Sequence, residues 1–556
     1  MTLRFVSGAG SPQASLLERA VAERLPADAP GTLDIALETD ASLGEESYRI
    51  DAADGVWRIA GGDEPGLVYG VGKFLHSACW SKDGISPKPT DGAVSPDCSF
   101  RAIYFAVHFY NWYQNAPTEE LERYLEELML WGYNAAIAII PVINCEKPGD
   151  ALFKESAEKA RKIFRLARKL GMKTGIIIDP NQGAKSAPDE LAADLSFDRY
   201  GVRGKAGKNI CLSKPGGQEY METVYRAELE EFRDMGLDWL VTWPYDEGGC
   251  GCEKCRPWGA NGYLRGARVL IKCAKEYYPD IKTVISAWLF DDPEDEGEYD
   301  GLYRALRDGE MPADMIMADS HDKFPLYPLT HEKVRPVINF PEISMWKLFP
   351  WGGFGANPMP ARFESFWRSA ADILDGGMPY SEGMYEDISK IQCVGYYWNR
   401  KASYREILEE YFSYELSAQT ARDAVELTEV IEKNHVAVGE EREPDRRDSD
   451  RAGELARSID ARLDERAKNS WRWRILYARG ILDEKRYAWY FDHNCGGKAE
   501  LWRLRHFSGV YLARDEEAQE LFRELRRLYH CCNFNGENRW TLPPVLGETV
   551  MDCVVG

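Results

Sequence analysis

Residues 239–249, WLVTWPYDEGG, contain the pattern that decides the fold: an apolar stretch, two acidic residues and two glycines. The apolar part, Trp239–Thr242, has the length and composition of a buried β-strand. The segment before it, Glu219–Met235, has apolar residues at helical spacing. A helix followed by a continuously apolar strand is typical of a parallel sheet that is covered on both faces.

The same alternation of helices and apolar strands extends from residue 100 to residue 400, with further clear helices at Glu119–Trp131 and Ala157–Leu170. Eight such units in about 300 residues predict an α/β protein with a closed (β/α)8 TIM barrel. An open, doubly wound sheet is disfavoured because no Gly-x-Gly-x-x-Gly motif follows a strand. The predicted strands are Ile103–Val107, Ala135–Ile140, Thr174–Ile178, Trp239–Thr242, Thr283–Ala287, Met315–Ala318, Val337–Phe340 and, more weakly, Gly377–Tyr380.

The segments on either side of the barrel differ from it in composition. Residues 1–95 predict a small N-terminal α/β domain, with a strand pair at Tyr48–Ile50 and Val56–Ile59. Residues 401–556 are rich in Arg, Glu and Leu, which predicts a helical C-terminal domain. The charge run Glu440–Arg451 predicts a solvated loop. The catalytic barrel is therefore expected at residues 96–400.

The composition excludes several classes of partner. The 556-residue chain has a formal net charge of −22, and a surface of that sign repels nucleic acids. No signal peptide and no stretch of about 20 apolar residues is found, so no membrane contact is expected. The 13 cysteines lack a disulfide-like spacing, which indicates a cytoplasmic protein with reduced thiols. The 17 Trp and 29 Tyr suit the stacking of sugar rings, and a homo-oligomer stays possible.

The acidic pair at the end of the fourth strand is the strongest candidate for catalysis. The active site of a TIM barrel lies at the C-terminal ends of its strands, where Asp246 and Glu247 follow Trp243 and Tyr245. Aromatic neighbours partly desolvate a carboxyl group and favour its protonated form. A protonated carboxyl group is what a general acid for a glycosidic oxygen requires, so this pair predicts hydrolysis of glycosides.

Polar and aromatic residues also follow the other strands. Glu342, after the seventh strand, is a candidate nucleophile or second carboxylate, and Glu382, after the eighth, is a candidate base or ligand of sugar hydroxyls. The first strand ends in aromatic and hydrogen-bonding residues that suit a sugar-binding wall, with core packing as the alternative. The candidate substrate-binding residues are His108, Tyr110, Trp112, Asn144, Asp179, Trp243, Tyr245, Trp288, His321, Trp346, Glu382 and Tyr385.

Three thiols, Cys250, Cys252 and Cys255, follow the acidic pair within six residues. Three thiolates can bind a structural zinc ion with a fourth ligand from elsewhere in the chain, which the sequence does not identify. Ordinary reduced thiols and a redox role are the alternatives. No cofactor is expected for catalysis.

Several segments resemble known glycoside hydrolases. Glu46-Ser-Tyr48-Arg-Ile and Gly66-Leu-Val-Tyr-Gly-Val are similar to the small α/β domain that precedes the barrel in family-20-like β-N-acetylhexosaminidases and in α-glucuronidases. The Asp246-Glu247 pair resembles the acid pair of the hexosaminidases. The helical tail, with Ile407-Leu-Glu-Glu-Tyr-Phe, resembles that of α-glucuronidases and of large bacterial relatives, and the Cys-rich loop resembles those bacterial relatives most.

The hexosaminidase resemblance implies an enzyme that cleaves terminal β-N-acetylhexosaminides of an oligosaccharide or glycoside. Glu247 would be the general acid/base, and Asp246 would orient the substrate's own 2-acetamido group as the nucleophile. The chain departs from that family where Trp243-Pro-Tyr245 replaces a His and Gly-Gly.

Three alternatives remain open at this point. An α-glucuronidase-like or other exo-glycosidase would use Glu247 with Glu342 or Glu382, because a sugar without an acetamido group requires a second carboxylate. A non-catalytic barrel would bind carbohydrate without turnover. A metal-dependent enzyme would use the Cys cluster with Asp319 and His321.

Overall fold

A computed structural model of the protein describes residues 1–108, 111–195, 208–245, 248–291, 296–318, 323–344, 356–435, 445–492 and 515–529. Within these ranges, no helix combines the length and the apolar character that crossing a membrane requires.

The N-terminal region is a four-stranded sheet with two helices. The sheet order is β1-β2-β4-β3, in which β3 and β4 form the predicted strand pair and are antiparallel. The second helix begins where the Asp63 carboxylate accepts a hydrogen bond of 2.8 Å from the Gly66 amide. The elements are β1 (Thr2–Ser7), α1 (Pro12–Arg24), β2 (Thr32–Thr39), β3 (Tyr48–Ala53), β4 (Val56–Gly61), α2 (Glu64–Ser77), β5 (Cys79–Ser81) and β6 (Gly84–Ser86).

The central region is a closed parallel barrel of eight strands, as predicted. All six residues of its first strand are buried, as expected for a strand between the barrel interior and a layer of helices. The strands of this region are β7 (Phe100–Phe105), β8 (Ala135–Ile139), β9 (Lys173–Ile178), β10 (Gln182–Gly183), β11 (Lys208–Asn209), β12 (Trp239–Thr242), β13 (Lys282–Ser286), β14 (Met315–Met317), β15 (Val337–Asn339), β16 (Leu374–Gly377) and β17 (Tyr380–Ser381). The barrel order is β7-β8-β9-β12-β13-β14-β15-β16, and β16 pairs with β7 to close it.

Two glycines make this closure possible. Gly376 has a φ of +146°, and a Cβ atom there would lie 1.7 Å from the carbonyl oxygen of Phe100. A Cβ atom on Gly377 would lie 1.9 Å from Oδ1 of Asn339. Side chains at these positions would prevent β16 from approaching β7 on one side and β15 on the other. For this reason the eighth strand lacks the apolar pattern of the other strands. The eighth strand was predicted at Gly377–Tyr380, whereas in the structure it is β16, Leu374–Gly377, and thus begins earlier.

Helices cover the outside of the barrel. The predicted segments Glu119–Trp131, Ala157–Leu170 and Glu219–Met235 form helices with shifts of a few residues at their ends. The helices of this region are α3 (Trp112–Asn115), α4 (Thr118–Leu130), α5 (Ala151–Lys169), α6 (Gly217–Glu231), α7 (Gly262–Tyr277), α8 (Glu298–Arg307), α9 (Leu326–Thr330), α10 (Pro360–Arg368) and α11 (Asp387–Trp398).

The described part of the C-terminal region consists of helices, as predicted. The described ones are α12 (Tyr404–Glu415), α13 (Ala421–Asn434), α14 (Arg446–Asp460), α15 (Glu465–Lys468), α16 (Trp471–Asp492) and α17 (Glu516–Leu528).

The prediction of a solvated loop at Glu440–Arg451 is wrong for its second half. Helix α14 begins at Arg446, where the Asp445 carboxylate accepts a hydrogen bond of 2.8 Å from the Arg447 amide. The buried face of this helix continues beyond the charge run and includes Leu455 and Ile459. Burial of this apolar face stabilises the helix, and the pattern of charges alone does not predict it. Residues 436–444 lie outside the described residues.

A buried arginine joins the C-terminal helices to the barrel. Nε of Arg472, in α16, donates to Asp387 at 2.8 Å, and its Nη2 donates to Glu127 at 2.6 Å. These acceptors belong to α11 and α4, which are two of the helices around the barrel. The arginine side chain is only 7% exposed, so its ion pairs are largely shielded from water.

Candidate active site

Five aromatic side chains meet at the C-terminal ends of the barrel strands, and we call them the aromatic wall. The rings of Trp243 and Trp288, which follow β12 and β13, are 5.4 Å apart between centroids. Phe340, after β15, lies 4.9 Å from Trp243 and 6.1 Å from Tyr104 of β7. Tyr380 of β17 lies 5.1 Å from Tyr104. The wall thus connects five strand ends, and flat apolar surfaces of this kind suit sugar rings.

Three carboxylates from different strand ends act on one phenol in this wall. Burial raises the pKa of Tyr104 well above its usual value, and the charges of Asp179, Glu382 and Glu342 raise it further. These residues follow β9, β17 and β15 respectively. The three acids predicted from separate segments therefore lie in one electrostatic cluster.

Glu382 is the most buried of these acids, with 1% of its surface exposed. Its Oε1 accepts a hydrogen bond of 2.9 Å from the Tyr380 hydroxyl, whereas Oε2 has no hydrogen-bond partner within the part of the chain that the structure describes. Burial raises the pKa of Glu382 well above its usual range, and the charges of Glu386 and Glu342 add to this effect. The raised pKa favours the protonated form of Glu382, which can donate a hydrogen bond.

Glu342 has a different environment. It is partly exposed, and its Oε1 accepts a hydrogen bond of 2.7 Å from the Ser344 amide. A backbone donor of this kind stabilises an ionised carboxylate. The two neighbouring acids thus differ in burial and in their hydrogen-bond donors, and acid and base chemistry uses carboxyl groups in such different environments.

A buried ion pair supports the loop that carries Glu382. Glu386 accepts hydrogen bonds from the Ser381 hydroxyl at 2.5 Å and from the Glu382 amide at 3.0 Å, and it also accepts one from Ser344. Lys390, one helical turn later, lies 3.6 Å from it. Burial lowers the pKa of Lys390 to about 8. The sequence did not identify this pair, because i,i+4 Glu–Lys pairs usually lie on solvent-exposed helix surfaces.

The acidic pair Asp246 and Glu247 lies outside the described residues, but the structure describes the chain on both sides of it. Before the pair, the Tyr245 hydroxyl donates to Glu298, so this tyrosine is held in the core. The Trp258 indole also donates to the Pro244 carbonyl at 2.6 Å.

After the pair, Asn181 holds the chain with two hydrogen bonds. Its Nδ2 donates to the Gly249 carbonyl at 3.1 Å, and its Oδ1 accepts from the Gly249 amide at 3.4 Å. The backbone on either side of the pair is thus attached to the structure around the ends of β9 and β12. Tyr110, His321 and Trp346 also lie outside the described residues.

The remaining predicted residues have varied positions. The ring of His108 stacks at 5.9 Å on Tyr104, and burial lowers the pKa of this histidine to about 3, so it is neutral. Trp112 packs on Tyr124 of α4 at 5.4 Å, in the core packing that was the alternative to a substrate contact. Tyr385 packs at 5.4 Å on Tyr529, which follows α17. Asn144 is exposed at the end of a short 3-10 turn.

The three predicted thiols lie beside a fourth, Cys211, and all four sulfur atoms are within 4.8 Å of one another.

Of the aromatic wall, the sequence analysis singled out Trp243 and Trp288 but not Tyr104, Phe340 or Tyr380. These three belong to apolar stretches that predict strands, and such stretches do not distinguish a residue at the barrel mouth from one in the core.

Comparisons with known proteins relate the chain to glycoside hydrolases through its fold. No family model matches the chain, and no curated protein sequence matches it significantly. A solved family GH115 4-O-methyl-α-glucuronidase with specificity for decorated arabinogalactans is 12% identical, with a TM-score of 0.60 over 98% of this chain and 79% of the other.

Two further solved structures are similar. A family 89 glycoside hydrolase from Clostridium perfringens, in complex with its substrate GlcNAc-α-1,4-galactose, is 13% identical, with a TM-score of 0.59 over 98% of this chain and 69% of the other. The GH20 β-N-acetylhexosaminidase from Streptomyces coelicolor is 13% identical, with a TM-score of 0.50 over 76% of this chain and 92% of the other. At these identities the likeness establishes the fold: a (β/α)8 barrel with an N-terminal α/β region and C-terminal helices.

Proposed function

We propose that the protein is a glycoside hydrolase that removes terminal sugars from an oligosaccharide or glycoside. The observation that carries this proposal is the cluster of Asp179, Glu342 and Glu382 around Tyr104, beside the aromatic wall at the strand ends. Carboxylates provide acid, base and nucleophile in such hydrolysis, and aromatic faces bind the sugar. The three fold neighbours described above are glycoside hydrolases, which supports the same class of reaction.

In this mechanism Glu247 protonates the glycosidic oxygen and later removes a proton from the attacking water. Its place in the sequence after β12, between Tyr245 and Gly249, which are both held by hydrogen bonds, supports this role. Glu382 remains protonated and donates a hydrogen bond to a sugar hydroxyl through Oε2. Trp243, which belongs to the aromatic wall beside this cluster, provides the apolar face for the sugar ring in this proposal.

We further propose that the substrate is a β-N-acetylhexosaminide and that Asp246 orients its 2-acetamido group. The acetamido oxygen then attacks the anomeric carbon, so the enzyme itself needs no nucleophile. The adjacency of two acids at 246 and 247 supports this route, because one can act on the leaving group while the other acts on the acetamido group.

The second candidate is an exo-glycosidase for a sugar without an acetamido group, such as a glucuronide. The environment of Glu342 favours it: a partly exposed carboxylate with a backbone donor can act as nucleophile or base opposite Glu247. The acetamido route does not require such a group.

The test is a set of aryl glycosides with different sugars, assayed with the wild type and four variants. Glu247→Gln should lower kcat/KM by about 10²–10⁴-fold, the contribution of general acid catalysis. Glu253→Gln, an exposed acid in the same loop, is the control and should leave kcat/KM unchanged. Unchanged activity of the Glu247 variant would contradict its role as the acid.

The same assay separates the two candidates. If the acetamido route is correct, only 2-acetamido sugars react, and Asp246→Asn is far more damaging than Glu342→Gln. If Glu342 is the second carboxylate, sugars with a 2-hydroxyl react and the order of damage is reversed. Sugar binding without turnover of any glycoside would refute hydrolysis altogether.

A further inference from the structure

The four neighbouring thiols have the spacing of ligands around one ion. Cys211 Sγ lies 3.7 Å from Cys252 Sγ and 3.9 Å from Cys255 Sγ. Zinc–sulfur bonds of about 2.3 Å in a tetrahedron separate the sulfur atoms by about 3.8 Å. A disulfide would need about 2.05 Å, and an iron–sulfur cluster, with several metal and sulfide atoms between the thiols, needs a wider spacing.

The surroundings of the thiols are also those of metal-bound thiolates. The Cys250 sulfur accepts hydrogen bonds from the amides of Asp194 and Cys252, and the Cys252 sulfur accepts one from the Lys254 amide. The Ser213 hydroxyl lies 3.0 Å from the Cys211 sulfur. N–H and O–H groups directed at sulfur are the hydrogen bonds that commonly surround the ligands of a bound metal ion.

We propose that Cys211, Cys250, Cys252 and Cys255 bind a structural zinc ion. The sequence analysis predicts the last three thiols as ligands; the structure assigns the fourth. Four sulfur ligands complete a tetrahedron and leave no open position for a substrate, which is typical of a structural zinc site and not of a catalytic one.

The proposed ion joins the two segments that carry the candidate site. Cys211 lies in the connection between β9 and α6, whereas the other three ligands lie between β12 and α7. The first of them, Cys250, directly follows Gly249, which Asn181 holds from the end of β9. The zinc therefore fixes the chain three residues after Glu247, and it does so whether or not the barrel hydrolyses glycosides.

The experiment measures metal in the full-length protein, purified without chelators from zinc-supplemented cells. Elemental analysis should find about one zinc per chain in the wild type. Cys211→Ser should reduce the zinc to background, whereas Cys79→Ser, at an exposed cysteine far from the cluster in sequence, should retain it.

A second measurement does not depend on the folding of a variant. Replacing zinc by Co²⁺ in the wild type should produce the intense visible absorption of a tetrathiolate site. Wild-type protein without zinc and without these cobalt bands would overturn the proposal. So would iron at the site, full zinc retention by Cys211→Ser, or a disulfide between any of the four cysteines in mass spectrometry.

Discussion

Replacing Glu386 by Gln should destabilise the barrel strongly, because it removes the carboxylate that pairs with the buried Lys390 ammonium. The two charged atoms lie 3.6 Å apart and their side chains are at most 1% exposed. At an effective dielectric constant of about 20, charges at this distance attract by about 4–5 kcal/mol. Breaking a buried pair from one side costs about 3–5 kcal/mol, so Glu386→Gln should lower the free energy of unfolding by that amount.

A double-mutant cycle isolates this interaction. Lys390→Met alone should also destabilise, since it leaves the Glu386 charge buried, but the double variant should lose about 3 kcal/mol less than the sum of the single losses. The measurement is guanidinium unfolding followed by tryptophan fluorescence. The control cycle uses Arg446 and Asp450, an exposed i,i+4 pair at 3.8 Å, which should show a coupling of about 0.3–0.5 kcal/mol. If the losses for Glu386 and Lys390 add to within about 0.5 kcal/mol, the reasoning is refuted.

Three further predictions concern stability. The raised pKa of Glu382 means that the folded state keeps a proton that the unfolded state loses above its ordinary pKa of 4.5. The stability that this group contributes is therefore fully present below that pH. Above it, this contribution falls by about 1.4 kcal/mol per pH unit until the pH reaches the raised pKa of the folded state. Glu382→Gln should therefore equal the wild type in stability at about pH 4 and become more stable than it as the pH rises above the ordinary pKa of the glutamate, and a difference that does not change with pH in thermal denaturation would contradict this. Gly376→Ala should cost at least about 3 kcal/mol in denaturant unfolding, whereas Gly92→Ala, with a φ of +77° but open space around it, should cost about 1 kcal/mol; equal losses would show that the close approach of the strands is unimportant. Arg472→Met should cost about 3–5 kcal/mol because it removes the ion pairs that the buried arginine makes with Asp387 and Glu127, whereas the exposed Arg422→Met should stay within about 0.5 kcal/mol, and a similar small effect for both in calorimetry would refute a stabilising role for the buried arginine.

The barrel was predictable because seven of its strands are continuous apolar runs separated by helical patterns. The eighth was predicted only weakly, because its closing residues, Gly376 and Gly377, are selected for small size and not for hydrophobicity. The start of α14 was missed because local charge predicts exposure, whereas burial of Leu455 and Ile459 decides that a helix forms.

The candidate site was predictable where chain order alone brings residues together. Asp179, Glu342 and Glu382 each follow a barrel strand, and parallel strands in a closed barrel place such residues at the same mouth. Cys211 is 41 residues from Cys252, and its approach depends on how two long connections fold over each other. No local sequence pattern predicts this approach, and none predicts the buried ion pair of Glu386 and Lys390, which supports the loop that carries Glu382.

Among the described residues, Asn181, Trp258 and Tyr245 hold the chain before and after residues 246 and 247 with hydrogen bonds. The residues that anchor the backbone at this strand end are thus different from the two acids that are proposed to carry the chemistry. Such a division means that drift or engineering can exchange the two acids for other side chains while the surrounding backbone keeps its anchors. This corner of the barrel is accordingly a place where one scaffold could acquire a new reaction without first having to rebuild its loops.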